Sequence, residues 1–205
     1  MLEILDLWRT QLVKQTLLNC EDKNNQLLQL RKNWAQHNHP LTTDYRDHNP
    51  FAVDTPTKNW LRDEVNLSIV ECLETMNIDF AVNWVIHGSA NLNRQVDYLD
   101  PHKHSQSYLR STNYVKVLAD SKASHRRVDA RPNCITFYDP RTGFNKQSIK
   151  NNPYIEPEHS VFSEPGLLIL WPASLKHFVH HNLSDDTRVS FSFNVMLKWS
   201  DDYLP

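Results

Sequence analysis

The spacing of apolar positions changes character once along the chain. Through the first third, Leu2, Leu5, Leu12 and Leu17, then Leu27, Leu28, Leu30 and Trp34, recur at roughly helical intervals, which predicts two helical stretches interrupted near "NCEDKNN". Residues 35–60, rich in His, Asn, Pro, Asp and Thr, read as a long irregular connection. Leu61, Val65, Ile69, Cys72 and Leu73 then form one apolar stripe and predict a helix over 61–76. After Asn77 the runs shorten. "DFAVNWVI", "NYVKVL", "CITFYD", "GLLILW", "HFVHH" and "RVSFSFNVML" are rich in β-branched and aromatic residues and are separated by turn-forming stretches. The last run alternates most clearly, Val189, Phe191, Phe193 and Val195 against Ser190, Ser192 and Asn194. The pattern predicts a single domain over 1–205, with a helical front at about 1–79 packed on a β-sandwich or barrel at about 80–198.

Composition narrows this picture. A chain of 205 residues can bury a core without staples. The formal charge is −2, and Lys and Arg are scattered rather than gathered into the basic stripe that phosphate binding uses, so nothing supports a nucleic-acid partner. The opening "MLEILDLWRTQLVKQ" carries acidic groups early and lacks the continuous apolar run of a signal peptide or membrane span, which points to a cytoplasmic protein. Cys20, Cys72 and Cys134 are widely spaced, offer no CxxC pair and read as buried or idle thiols. With three glycines in the chain, turns must rely on Asn, Asp, Ser and Pro. The sequence fixes no oligomeric state, and a homodimer is compatible with it.

Candidate chemistry begins with "DYLDPHKHSQSYL". On a strand, His102 and His104 would project from one face with Lys103 on the other, and two neutral imidazoles on one face can share a metal. With eleven histidines in the chain, the pair alone reads first as a surface feature. His177 follows an apolar run and a Pro-containing turn, and Arg188 heads the next run. That order suits neighbouring antiparallel strands opening at one mouth, where a planar guanidinium could take a carboxylate in bidentate fashion. His181 would share a strand face with His177, while His87, His125, His159 and His180 read as surface or ordinary hydrogen-bonded residues. Asp139, Pro140 and Arg141 read as a tight hairpin turn, and Trp84 and Trp171 as packing residues.

The pieces "PHKHSQSYLRSTNYVKV", "CITFYDPR", "PGLLILWPASLKH" and "RVSFSFNV", in that order, resemble the motifs of the 2-oxoglutarate/Fe(II) oxygenases found in bacteria and tailed phages. The resemblance covers about residues 80–198. It implies a cupin-like double-stranded β-helix, or jelly roll, holding Fe(II) at its open end. His102 would be the first ligand, His104 would stand where a carboxylate is usual, and His177 would be the distal ligand. Arg188 would bind the far carboxylate of 2-oxoglutarate, and Tyr114 would either hydrogen-bond that co-substrate or serve the core. Asp97 and Asp100 stand as alternatives to His104. The implied reaction consumes O2, converts 2-oxoglutarate to succinate and hydroxylates a C–H bond, in the host cytoplasm if the chain is phage-encoded. The substrate is not implied, although residues 35–60 and the basic stretch 120–132 are placed to cover a barrel mouth. Two other readings stay open: a three-histidine cupin-like metalloenzyme that binds its substrate directly to the metal, and a binding module that keeps the barrel without turnover.

Overall fold

A computed structural model of the chain describes residues 9–35, 54–78, 83–117, 131–141 and 157–198. Among these residues two helices and nine strands run in the order β1 (Val13–Thr16), α1 (Glu21–Ala35), α2 (Pro56–Thr75), β2 (Asn83–Asn93), β3 (Leu99–His102), β4 (Leu109–Lys116), β5 (Cys134–Tyr138), β6 (Glu158–Phe162), β7 (Leu167–Pro172), β8 (His177–Val179) and β9 (Arg188–Lys198). Strands β2 to β9 divide between two antiparallel sheets, β7-β4-β9-β2 and β3-β8-β5-β6, with β1 added at the β7 edge of the first. This is a jelly roll, as the family resemblance implies.

The helical front differs from its predicted form. Residues 13–16 are a strand, because Val13 to Thr16 pair with Leu170 to Leu167 and cap an otherwise open sheet edge. Pairing with β7 overrides the local helical spacing. The chain breaks at Asn19, at φ 51°, and α1 begins within "NCEDKNN" at Glu21, with Glu21 and Asp22 in its first turn, where carboxylates favour the helix dipole. Helix α2 starts earlier than 61, at Pro56, because Thr55 is an extended N-cap whose hydroxyl accepts from the Lys58 N–H at 3.3 Å. Leu2, Leu5 and most of the 35–60 connection lie outside the described residues.

The stripe Leu61, Val65, Ile69 and Leu73 of α2 packs, with Leu27 of α1, on Val189, Phe191, Phe193 and Val195 of β9 and on Leu168 and Leu170 of β7. Each such side chain contributes about 2 kcal/mol of burial. Gly166, at φ 84°, turns the chain into β7, and a Cβ there would overlap the Cys20 thiol. With one face of the large sheet committed to the helices, its other face looks into the roll. Antiparallel register fixes which residues share that inner face. One row runs Trp171, Arg110, Asn194 and His87, a second Ile169, Thr112, Ser192 and Ser89, a third Tyr114, Ser190 and Asn91, and the last pairs Arg188 with Asn93.

Candidate functional site

His102 closes β3 and His177 opens β8, and the two are register partners across a bulge that follows Leu99. His104 is not on that strand. The expectation that strand alternation aligns the HxH pair is corrected: β3 ends at His102, and His104 is placed by its backbone N–H, which donates to the Ala173 carbonyl at 2.9 Å. The three rings nonetheless converge. Their centroids lie 4.3 Å (His102 to His177), 5.0 Å (His102 to His104) and 5.4 Å (His104 to His177) apart, and one ring nitrogen from each lies within 4.8 Å of the other two.

Neighbouring carbonyls set the tautomers. Nδ1 of His102 is 2.6 Å from the Asp100 carbonyl and Nδ1 of His177 is 3.0 Å from the Leu175 carbonyl. A carbonyl only accepts, so each Nδ1 carries the proton and each Nε2 presents its lone pair. His104 Nε2 is buried without a hydrogen-bond partner. Burial, reinforced by the charge of Arg110, lowers His104 to about 3. Burial also takes His177 to about 3, against the opposing effect of its bond to Leu175. Both are neutral bases in the fold at pH 7.

His102 and His177 line a small cavity that is open to solvent. Its wall combines apolar Leu99, Ile135, Trp171 and Val179 with a polar band of Asn91, Asn93, Thr112, Tyr114, Ser190 and Ser192 and with Arg110 and Arg188. Within that band Asn91 Nδ2 donates to Ser192 Oγ at 2.6 Å, and Thr112 Oγ1 meets the same oxygen at 2.9 Å. Arg188 is 1% exposed. Its Nη2 donates to the His180 carbonyl at 3.0 Å, while Nε and Nη1 are buried with no hydrogen-bond partner. Tyr114 is fully buried on the same wall, its phenol pushed up by burial against the opposing charge of Arg188.

The remaining candidates lie elsewhere. Asp97 accepts from the Arg94 N–H at 2.8 Å within a turn, and Asp100 is an exposed residue of β3. Neither belongs to the cluster, which among the described residues is histidine only. His180 contacts Thr136 Oγ1, and His181, beyond the end of β8, stacks on Tyr98 with centroids 4.2 Å apart. Arg141 pairs with Asp139 at the surface. Trp84 donates to Asn66, and Trp171 packs edge-on to His177 at 5.1 Å. His125 and most of the stretch 120–132 fall outside the described residues. Sequence reasoning missed Arg110 and the polar band. The band carried a signal, since Ser190 and Ser192 share strand parity with Arg188; a single arginine in "SYLRSTNY" carried none.

The family model described as "Putative 2OG-Fe(II) oxygenase" matches residues 89–194, which contain the three histidines and Arg188. The chain belongs to this 2-oxoglutarate/Fe(II) oxygenase family. Solved structures agree on the fold. A prolyl-4-hydroxylase of Pseudomonas putida superposes with a TM-score of 0.63 at 10% identity, covering 95% of this chain and 96% of that one. The epimerase SnoN in complex with Fe3+, alpha ketoglutarate and nogalamycin RO gives 0.60 at 15% identity, covering 96% and 84%. HygX of Streptomyces hygroscopicus with nickel and 2-oxoglutarate gives 0.58 at 10% identity, covering 91% and 83%. No curated protein matches the chain. By its family the protein is a non-haem Fe(II)- and 2-oxoglutarate-dependent oxygenase.

The donor set fits both groups. Neutral imidazoles suit a divalent iron, and a buried guanidinium with two unpartnered N–H groups suits a carboxylate. Among the described residues, no helix is long and apolar enough to cross a membrane.

Proposed function

We propose that His102, His104 and His177 hold the ferrous ion, that Arg188 binds the far carboxylate of 2-oxoglutarate, and that the enzyme hydroxylates a C–H bond of its substrate. The overall change is R–H + 2-oxoglutarate + O2 to R–OH + succinate + CO2. The observation that carries the reading is Arg188: a buried cation with Nε and Nη1 unpartnered, on the wall of the same cavity as His102 and His177, two of the three converging imidazoles. Burying such a cation without partners is costly, and a carboxylate satisfies both N–H groups at once.

The ferrous ion, when bound, supplies the redox chemistry that activates dioxygen. The chain supplies position. Asp100 and Leu175 carbonyls fix the His102 and His177 rings so that neither must exchange a proton to become a donor. Arg188 and the Tyr114 phenol define the polar end of the co-substrate's path, and Ile135 and Val179 flank it with apolar surface that keeps water out. His104 in place of a carboxylate leaves the ligand set uncharged, so more positive charge stays on the metal than in a two-histidine, one-carboxylate triad. We place the protein in the cytoplasm.

Anaerobic visible absorption tests the reading. Titrating the metal-free protein with ferrous iron and then 2-oxoglutarate should give a weak charge-transfer band that requires both additions. Bound iron with no band on adding 2-oxoglutarate would favour a three-histidine enzyme that binds its substrate directly, and failure to bind iron would refute the metal assignment.

A further inference from the structure

The cavity holds a second buried arginine that the co-substrate reading does not use. Arg110 is 3% exposed, lines the wall, and is held by Nη1 donating to Asn194 Oδ1 at 2.6 Å. In register it neighbours Trp171, whose ring lies 5.1 Å from that of His177, so Arg110 stands level with the histidines. Arg188 enters from the other end of the β9 inner row, six residues and about 20 Å along the strand from Asn194. The ends differ in access. Arg188 and Asn93 are both buried, whereas the row of Trp171, Arg110 and Asn194 ends on exposed His87.

A 2-oxoglutarate molecule that starts at the histidines and ends on Arg188 leads away from Arg110, toward the closed end. What meets Arg110 arrives from the open side, where the group to be oxidised must enter. The described residues lining the cavity include two arginines and no carboxylate, and the histidine ligands add no negative charge. Among these described lining residues the fixed charges are two guanidiniums, so this wall disfavours an incoming cation and favours an oxyanion. Resting on the metal and co-substrate assignment above, we propose that Arg110 is the substrate-recognition residue of this oxygenase, and that the molecule oxidised carries a carboxylate or phosphate group bound by its guanidinium. Asn194 is a positioning residue that holds the fork toward the histidines.

The test is calorimetric titration of the anaerobic Fe(II)- and 2-oxoglutarate-saturated protein with acetate, methyl phosphate and neutral acetamide. The wild-type protein should bind one of the two anions at one site and not acetamide, and the preferred anion distinguishes a carboxylate from a phosphate substrate. Arg110→Gln should weaken that binding about tenfold or more, the scale of a charged hydrogen bond, while leaving the charge-transfer band unchanged. Asn194→Asp keeps the buried cation, sets a carboxylate against it, and should show the same loss even if Arg110→Gln fails to fold. Equal anion affinity in both variants, or no anion binding in the wild type, would overturn the proposal. Loss of the band in Arg110→Gln would also overturn it, by assigning the arginine to 2-oxoglutarate, as would a band that falls when the anion is added, which puts the anion on the metal. If the wild type gives no band but its metal-free form binds the anion in an Arg110-dependent way, the site assignment fails and the role of the arginine stands.

Discussion

His102 and His177 are cross-strand partners whose ring centroids lie 4.3 Å apart, at the end of β3 and the start of β8. Their closeness is a property of the small sheet's hydrogen-bonded ladder, so either ring can be removed without moving the other's backbone. His177→Ala is therefore expected to lose iron while retaining the jelly roll, with His177→Gln keeping side-chain volume beside Trp171 and Phe137. Iron content after desalting, read beside the circular dichroism spectrum, checks this; full iron occupancy in a folded His177→Ala protein would remove His177 from the metal.

Among the described residues Arg188 is tied to the fold by one hydrogen bond, Nη2 to the His180 carbonyl, and its Nε and Nη1 are buried without a hydrogen-bond partner. Arg188→Met keeps much of the buried aliphatic volume and deletes the carboxylate clamp. Affinity for 2-oxoglutarate should fall about 10- to 100-fold, the scale of one or two charge-assisted hydrogen bonds, with iron binding retained. The midpoint of the charge-transfer titration measures it, and an unchanged midpoint would transfer the clamp to another residue.

Sequence alone left the third proposed metal position between His104 and the nearby aspartates, and His104 is the one that clusters with His102 and His177. Asp97 is occupied capping the Arg94 N–H and Asp100 is exposed, whereas His104 Nε2 is buried and without a partner. Asp97→Ala and Asp100→Ala should bind iron like the wild type, and His104→Ala should bind it distinctly more weakly. His104→Asp restores a carboxylate donor and is expected to recover part of that loss. Metal competition against a chelator ranks the four proteins, and a deficit in Asp100→Ala matching that of His104→Ala would reverse the assignment.

How much of this was legible follows from where each residue's partners lie. The alternation of Val189, Phe191, Phe193 and Val195 identified β9, but it did not say that the polar face would also be buried. Ser190, Ser192 and Arg188 are 5%, 4% and 1% exposed because they line a cavity, while the apolar face lies under α2. A period-two pattern reports two faces and not which one meets solvent. Val13 to Thr16 misled for the opposite reason: their strand exists through pairing with β7, far along the chain. The histidine motif was legible in its residues but not in its geometry, since His104 is positioned by a bond to Ala173 rather than by a strand. Arg110 was invisible because a lone arginine gains meaning only from the register that sets it opposite Trp171 and Asn194.

The two most strongly shifted cluster histidines make the metal-free protein's stability depend on pH in a definite direction. Burial holds His104 and His177 at about 3 in the fold, against about 6.5 in an unfolded chain. Below pH 6.5 the unfolded chain takes up protons that the fold refuses, so stability is fully present above 6.5 and declines progressively as pH falls toward 3. His180, lowered to about 4 chiefly by burial, adds to the same acid limb. His104→Gln removes one of these groups and should flatten the decline. Urea midpoints of both proteins at pH 7.5 and 5 test this: the wild type should lose more stability between the two pH values than the variant, whereas parallel losses would mean that the His104 imidazole accepts its proton inside the fold.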